Sequence, residues 1–221
     1  MAIHAVLFDH DGTIVDSEPT HHQMWNSVLA HHGVELTETQ YKDWYAGMPT
    51  AANAIDIQSR FALDVVPAAL AQAKNDATTD HLSRQPFPLM PGTHDVLVAL
   101  QQLKLRLGVV TGAGASAVQA TLRLHGLQAF FETVVSADDV EHSKPAPDCY
   151  LLAARHLGLQ PAQCVAIEDT EHGLNAAAAA GVPCIAIPTD MSRHHDFSKA
   201  TVVVPRLAEA LEWIRHRAAA A

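Results

Sequence analysis

Short apolar stretches alternate with amphipathic stretches along most of the chain. The first apolar stretch, Ile3 to Phe8, predicts a buried strand that ends at a polar loop. Beyond residue 92, apolar runs and stretches with helical spacing follow one another in regular order, which is typical of a doubly wound parallel sheet. The later strands are predicted at 106–110, 133–135, 164–167, 182–187 and 201–204, and the accompanying helices at 93–103, 116–125, 148–157, 171–180 and 207–217.

A segment of different character separates the first strand from the others. No strand is predicted from Pro19 to Arg84. Helical spacing occurs there in four stretches, at 21–32, 39–45, 52–61 and 67–82. Three prolines and a glycine between positions 85 and 92 mark the end of the segment. We therefore predict an α/β core with a doubly wound, Rossmann-like parallel sheet, formed by residues 1–16 and 88–221, with an all-helical cap domain of residues 17–87 inserted into it.

Composition and charge exclude several classes of function. The 221 residues include 14 Lys and Arg against 24 Asp and Glu, a formal net charge of −10, which argues against nucleic acid as a partner. The three cysteines form no CxxC pattern and leave one unpaired in any disulfide scheme, so no disulfide framework is expected. Neither a run of about 18 apolar residues nor a signal peptide is recognisable. We therefore expect a cytoplasmic protein without a membrane partner.

Polar residues follow the ends of several predicted strands. Because the carboxyl ends of parallel strands share one edge of a sheet, where ligands bind, these residues are expected to lie together. Each feature taken alone has an ordinary explanation, such as an acidic turn, a helix N-cap or a solvated lysine. Their common position favours a single site. The residues are Asp9 and Asp11 after the first strand, Thr111 and Gly112 after the second, Lys144 in a proline-flanked loop, and Glu168 and Asp169 after the strand at 164–167.

The clustering of carboxylates predicts a bound cation. Two like charges about 4 Å apart at an effective dielectric constant of about 20 repel each other by roughly 4 kcal/mol, so up to four carboxylates need a positive partner. Ligands that are all oxygen favour a hard ion, and Mg²⁺ fits best. A phosphate group would be held there by the metal, by Lys144 and by the backbone N–H groups that follow Thr111.

Phosphoryl transfer to a carboxylate is the reaction that fits these residues. Asp9 attacks phosphorus in line and becomes an aspartyl-phosphate. Asp11, two residues further on, protonates the leaving oxygen and then deprotonates the hydrolytic water. Thr111 and Lys144 stabilise charge on the equatorial oxygens. Asp169 holds the metal, with Glu168 as a further candidate ligand.

The motifs resemble those of the haloacid dehalogenase superfamily of aspartate-nucleophile phosphatases over essentially the whole chain. The sequence FDHDGTIVDSE at 8–18 resembles its first motif, Thr111 the second, KPAPD at 144–148 the third, and IEDT at 167–170 with Gly173 the fourth. The resemblance implies Mg²⁺ bound by Asp9, the backbone carbonyl of Asp11 and Asp169, with Glu168 as a candidate ligand. It also implies that the helical insert is the small cap of this family.

Within the superfamily, the chain is most similar to the β-phosphoglucomutase-like and sugar-phosphatase branch. The similarity lies in DSEPTH at 16–21, GMPT at 47–50 and KND at 74–76. It implies that His21 faces the site, where it couples cap closure to Asp11. It also makes Lys74 the best candidate in the cap for contacting the substrate.

Two departures from the mutase pattern favour hydrolysis. Thr13 stands where the mutase has an apolar residue, and Thr50 stands where the mutase has an arginine that binds a second phosphate. We therefore predict a Mg²⁺-dependent phosphatase that acts on a small phosphorylated metabolite, with a sugar phosphate as the best fit. A phosphosugar isomerase of the β-phosphoglucomutase type is the alternative. A signalling receiver domain is disfavoured because Asp9 ends the first strand. A monomer or a homodimer is expected.

Overall fold

A six-stranded parallel sheet forms the centre of the molecule. The computed structural model describes residues 2–218, and within that range the strand order is β3-β2-β1-β4-β5-β6, with every neighbouring pair parallel. The strands are β1 (Ala5–Phe8), β2 (Arg106–Val110), β3 (Thr133–Val135), β4 (Cys164–Glu168), β5 (Cys184–Ala186) and β6 (Val202–Val203). The first strand thus lies between the second and the fourth, as a doubly wound sheet requires.

Helices occur in two groups along the chain. Four of them follow β1 directly: α1 (Glu18–Leu29), α2 (Glu38–Trp44), α3 (Thr50–Arg60) and α4 (Pro67–Arg84). The others alternate with the remaining strands: α5 (Thr93–Gln102), α6 (Ala115–Leu124), α7 (Asp148–His156), α8 (Glu171–Ala179) and α9 (Leu207–Arg215). The predicted fold class, an α/β parallel sheet with an inserted helical segment, is confirmed.

Apolar side chains cover both faces of the sheet. Along β1, Val6 and Phe8 belong to one buried cluster, while Ala5 and Leu7 belong to another on the opposite face. This follows from the two-residue alternation of side chains in a strand, and it explains why the strands are continuous apolar runs. A third cluster, which includes Trp25, lies within the helices α1 to α4. Those helices therefore have a core of their own.

Several helices and strands begin or end a few residues away from their predicted bounds. The helix predicted at 39–45 begins at Glu38, because Thr37 and Gln40 form a reciprocal capping box. The helix predicted at 21–32 begins at Glu18, with Pro19 in its first turn, and its last three residues form a 3₁₀ turn. The strands predicted at 182–187 and 201–204 are observed as Cys184–Ala186 and Val202–Val203, so the apolar runs overestimate the length of both strands.

The chain enters and leaves the helical segment at one place. Val15 and Leu89 form an antiparallel bridge. Asp16 N donates to Pro88 O at 2.8 Å, and Met90 N donates to Ile14 O at 2.9 Å. The division into a core of 1–16 and 88–221 and a cap of 17–87 stays a prediction, and this paired crossing coincides with its proposed boundaries.

Helices long and apolar enough to cross a bilayer are absent from residues 2–218.

Gly108 in β2 is required for close packing between strands. A Cβ atom at this position would lie 2.8 Å from Cγ2 of Thr133 and 3.0 Å from Cδ2 of Leu7. Gly108→Val should therefore lower the free energy of unfolding by about 1–3 kcal/mol through overpacking. Denaturant unfolding followed by circular dichroism measures this. Val203→Ala, on the exposed edge of β6, is the control and should change it by less than about 0.5 kcal/mol. An unchanged unfolding midpoint for Gly108→Val would contradict the packing described here.

Candidate active site

The predicted site residues meet at the carboxyl edge of the sheet. Phe8 pairs with Val109 on one side and Ile167 on the other, so β1, β2 and β4 end at a common level. The residues after these ends border a cavity of about 510 Å³ between the sheet and the helices α1 to α4. Eight of the nine predicted residues line it: Asp9, Asp11, His21, Lys74, Thr111, Gly112, Lys144 and Asp169. The ninth, Glu168, is fully buried behind them.

Lys144 is the central cation of the site. Its Nζ donates to Asp9 Oδ1 at 2.5 Å, to Glu168 Oε1 at 2.7 Å and to Val110 O at 2.8 Å, which uses all three of its protons. Burial alone would lower the pKa of Lys144, but the two carboxylates outweigh burial and raise it. The side chain is therefore charged and fixed in place.

Three buried carboxylates lie next to one another. Asp9, Glu168 and Asp169 each offer one oxygen, and these oxygens lie within 4.8 Å of one another. Burial, together with repulsion from Asp9 and Glu168, raises the pKa of Asp169 well above its usual range. Burial likewise raises the pKa of Glu168 to about 7 despite Lys144. The site thus contains more negative charge than Lys144 neutralises.

The oxygens left free fit a metal ion. Glu168 Oε1 accepts from Lys144 and from the hydroxyl of Tyr150, the latter at 2.6 Å. Glu168 Oε2 and Asp169 Oδ1 are buried and have no hydrogen-bond partner. Buried polar atoms without a partner are rare and need an explanation such as an ion. A hard cation with oxygen ligands supplies that explanation, so the residues present fit Mg²⁺.

Two glycines make room for the carboxylates. A Cβ atom on Gly12 would overlap the carboxylate of Asp169, and one on Gly173 would overlap the carboxylate of Glu168. Gly12 also has a φ of +78°, a conformation that favours glycine. Gly12 belongs to the first motif and Gly173 to the fourth, so both motifs supply a glycine that makes room for a carboxylate of the same site.

Asp11 has a different environment from Asp9. Its Oδ1 accepts from Ser17 Oγ at 2.5 Å and lies 3.5 Å from His21 Nε2, while its Oδ2 lies 3.2 Å from Nδ1 of the buried His10. Burial would raise the pKa of Asp11, but His10 and His21 outweigh it and hold the pKa well below its usual range. The Asp11 side chain lies outside the group of three carboxylates, so a metal contact there rests on its backbone carbonyl alone, as the resemblance implies.

The helical segment contributes a second pair of polar residues. Lys74 Nζ donates to His21 Nδ1 at 3.1 Å, and the other nitrogen of His21 faces Asp11. Lys74 is buried, and burial lowers its pKa although Asp11 and Glu18 oppose the shift. Lys74, His21 and Asp11 thus form a continuous polar chain from the helices to the sheet edge.

Several residues of the site were not assigned from the sequence. The Tyr41 hydroxyl donates to Glu18 Oε2 at 2.5 Å, and the Gly47 N–H donates to Glu18 Oε1 at 2.9 Å. Glu18 occurs in the first motif, but nothing in the sequence linked it to Tyr41, which is 23 residues away. Tyr150 was missed in the same way, since its partner Glu168 lies on another element. Ser17 was also not assigned, although its partner Asp11 is only six residues away in the first motif. His172 also lines the cavity.

Comparison with known proteins agrees with the geometry. The family described as haloacid dehalogenase-like hydrolase matches residues 6–187. The fructose-1-phosphate phosphatase YqaB of Escherichia coli (strain K12) is 40% identical over 182 residues, which cover 81% of this chain and 94% of that protein.

Solved structures show the same fold. A mutant of CbbY from Rhodobacter sphaeroides, crystallised with xylulose-(1,5)bisphosphate, is 28% identical with a TM-score of 0.81, over 94% of this chain and 96% of that one. A β-phosphoglucomutase from Clostridium difficile has a TM-score of 0.82 over 97% and 96% of the chains, but at 21% identity it supports the fold alone. The family match spans most of the chain and agrees with the four motifs. The chain therefore belongs to the haloacid dehalogenase-like hydrolase family, as an enzyme of the phosphatase class.

Proposed function

We propose that the protein is a Mg²⁺-dependent phosphatase that hydrolyses a sugar phosphate through an aspartyl-phosphate on Asp9. The observation that carries this proposal is the arrangement of Asp9, which is bonded to Lys144 and lies beside two further carboxylates with free oxygens. The cavity of about 510 Å³ in front of Asp9 offers space for a small metabolite. The similarity to a fructose-1-phosphate phosphatase supports a substrate in which the phosphate is esterified to a sugar.

The metal would be held by residues already gathered at the sheet edge. Asp9, Asp169 and the Asp11 backbone carbonyl would be its protein ligands, with Glu168 Oε2 as a further candidate. When bound, Mg²⁺ would offset the negative charge of these carboxylates and of the incoming phosphate.

Asp9 would act as the nucleophile. Lys144 donates to Oδ1 of Asp9 and so holds the carboxylate in place. The other carboxylate oxygen is therefore oriented for attack on phosphorus before the substrate binds. Attack forms a bond from the carboxylate oxygen to phosphorus and breaks the bond between phosphorus and the sugar oxygen. Thr111, the N–H of Gly112 and Lys144 would bind the phosphoryl oxygens while charge redistributes.

Asp11 would carry out the proton transfers as the general acid and base. Its low pKa means that it is ionised at neutral pH, as a base that accepts a proton from the hydrolytic water must be. Water then attacks phosphorus, and the bond between phosphorus and Asp9 breaks. In the first half of the reaction the sugar oxygen needs a proton. A phosphate monoester, whose second pKa is about 6, can bring that proton into the site for Asp11 to relay.

A phosphosugar isomerase of the β-phosphoglucomutase type would use the same aspartyl-phosphate. Its support here is similarity of fold, so we rank hydrolysis first. Conversion of a sugar 1-phosphate to its isomer without net phosphate release would reverse this order.

Substitution of the two aspartates tests the chemistry directly. Asp9→Asn keeps an oxygen for Lys144 but removes the nucleophile, so kcat for phosphate release from fructose 1-phosphate should fall by more than about 10⁴-fold. Asp11→Asn removes the proton-transfer group and should lower kcat by about 10²–10⁴-fold. Asp95→Asn, at an exposed position in the first turn of α5, is the matched control and should retain activity. Undiminished phosphate release by Asp9→Asn would refute the proposed function.

Metal binding can be measured without any substrate. At a free Mg²⁺ concentration about ten times Kd, binding should stabilise the metal-free protein by about 1.4 kcal/mol, or roughly 3–5 °C in Tm. Asp169→Asn should abolish this shift. Without metal, the same variant should melt above the wild type, because a buried carboxylate repelled by Asp9 and Glu168 has been neutralised. A normal Mg²⁺ shift in Asp169→Asn would show that the metal binds elsewhere.

A further inference from the structure

The Glu168 carboxylate is held by two donors from one short stretch of chain, residues 144–150. Lys144 Nζ donates to Glu168 Oε1 at 2.7 Å, and the Tyr150 hydroxyl donates to the same oxygen at 2.6 Å. Tyr150 lies in the first turn of α7, and both Tyr150 and Glu168 are fully buried. Bulk water therefore does not compete for these hydrogen bonds.

The two oxygens of Glu168 have unequal environments. Oε1 accepts two hydrogen bonds, which occupy the two lone-pair positions of a carboxylate oxygen. Oε2 is buried and has no hydrogen-bond partner among residues 2–218. Oε1 is thus bound to the protein, and Oε2 is the oxygen of Glu168 that is left for a cation.

Lys144 alone would not fix this arrangement. The terminal torsion of a glutamate is broad, and an ammonium group can donate to either oxygen of a carboxylate. The ring of Tyr150, in contrast, packs in the apolar cluster that includes Leu7 and Val110. A ring held in this way places its hydroxyl at one point, and Glu168 Oε1 accepts from it there. The centre of the ring also lies 5.4 Å from Lys144 Nζ, so Tyr150 contacts both members of the ion pair.

On the basis of the proposed function, we propose that Tyr150 is a positioning residue for the metal, because its hydroxyl fixes the Glu168 carboxylate so that Oε2 is presented to the cation as a direct ligand. Residues that hydrogen-bond a metal ligand orient it, and their substitution typically weakens metal binding by about 10–100-fold. Tyr150 is not among the residues that line the cavity, so it acts through Glu168 and not through contact with the substrate.

Titration of the metal-free protein with Mg²⁺ in the absence of substrate tests this role. Tyr150→Phe keeps the ring and removes only the hydroxyl, so Kd for Mg²⁺ should rise by about 10–100-fold in isothermal titration calorimetry. The Mg²⁺ concentration that gives half-maximal phosphate release should rise by the same factor. At saturating Mg²⁺, kcat should stay within about threefold of the wild type, because the reacting groups are unchanged.

The matched control is the same substitution at another buried tyrosine. The Tyr45 hydroxyl donates to Asp56 Oδ2 at 2.9 Å within the helical segment, and Tyr45 does not line the cavity. Tyr45→Phe therefore removes a comparable hydrogen bond to a carboxylate at a distance from the metal ligands. It should change Kd for Mg²⁺ by less than about twofold.

A double-mutant cycle separates positioning from a general disturbance of the site. In Glu168→Gln, Lys144 and Tyr150 both donate towards the Oε1 position, so the amide oxygen takes that position and the NH₂ group faces the cation. Kd for Mg²⁺ should therefore rise by at least about tenfold. Adding Tyr150→Phe to Glu168→Gln should change Kd by less than about twofold, because Tyr150 acts through the carboxylate that has been removed. A general disturbance would weaken binding by the same factor in both backgrounds.

The outcomes separate this inference from the proposed function. An unchanged Kd in Tyr150→Phe, or an equal loss of affinity in both backgrounds, would overturn the inference while the phosphatase activity stands. If Tyr150→Phe fails to fold, which thermal unfolding would reveal, an unchanged Kd in Glu168→Gln would overturn it instead.

Two results with the wild type also bear on both proposals. If the wild type binds no Mg²⁺, the inference and the metal requirement of the proposed function fail together. If Mg²⁺ binds but no sugar phosphate releases phosphate, the proposed function fails, and the Kd values still decide the role of Tyr150.

Discussion

The site depends on the ion pairs that Lys144 makes with Asp9 and Glu168. The two carboxylates lie at the ends of adjacent strands, β1 and β4, and the pairing of Phe8 with Ile167 brings them to the same level. A buried ion left without a partner costs several kcal/mol, so the sheet could not hold both carboxylates ionised at this edge without a cation between them. Lys144 comes from a separate loop and meets that requirement. Strand register and one ammonium group together define where the chemistry takes place.

The negative charge that Lys144 leaves unbalanced is the second defining property of the site. Lys144 balances part of a group of three carboxylates, and Asp169 keeps a buried oxygen without a partner. Gly12 and Gly173 allow the carboxylates to approach because any side chain in their place would overlap them. The crowding of these carboxylates is electrostatically unfavourable by itself, and a small divalent ion would offset it. Asp11 is surrounded instead by Ser17 and two histidines, an environment separate from that of the three carboxylates.

Local sequence predicted the sheet and the sheet-edge residues because each strand and the loop after it are contiguous. Asp9, Thr111 and Asp169 were predicted from strand ends alone, and the structure brings them to one cavity. The bonds of Glu18 were not predictable in this way, since Tyr41 and Gly47 are 23 and 29 residues away on other parts of the chain. The low pKa of Asp11 could not be predicted from the sequence either, because it depends on how the rings of His10 and His21 pack against this carboxylate. The contacts that no prediction covered are side-chain contacts that depend on how the helical segment and the side chains pack.

The antiparallel bridge between Val15 and Leu89 has a consequence for how the protein can vary. Because the chain departs from the sheet and returns to it at neighbouring positions, the intervening helices close on themselves and impose no separation on the strands. Their length and composition can change without displacing Asp9, which lies upstream of the departure point. The insert nevertheless contacts the sheet edge, because Met24 and Leu82 pack in the same cluster as Phe8 and His21 faces Asp11. Variation of the insert would therefore change the cavity wall that faces the strand ends while the connection to the sheet stays the same.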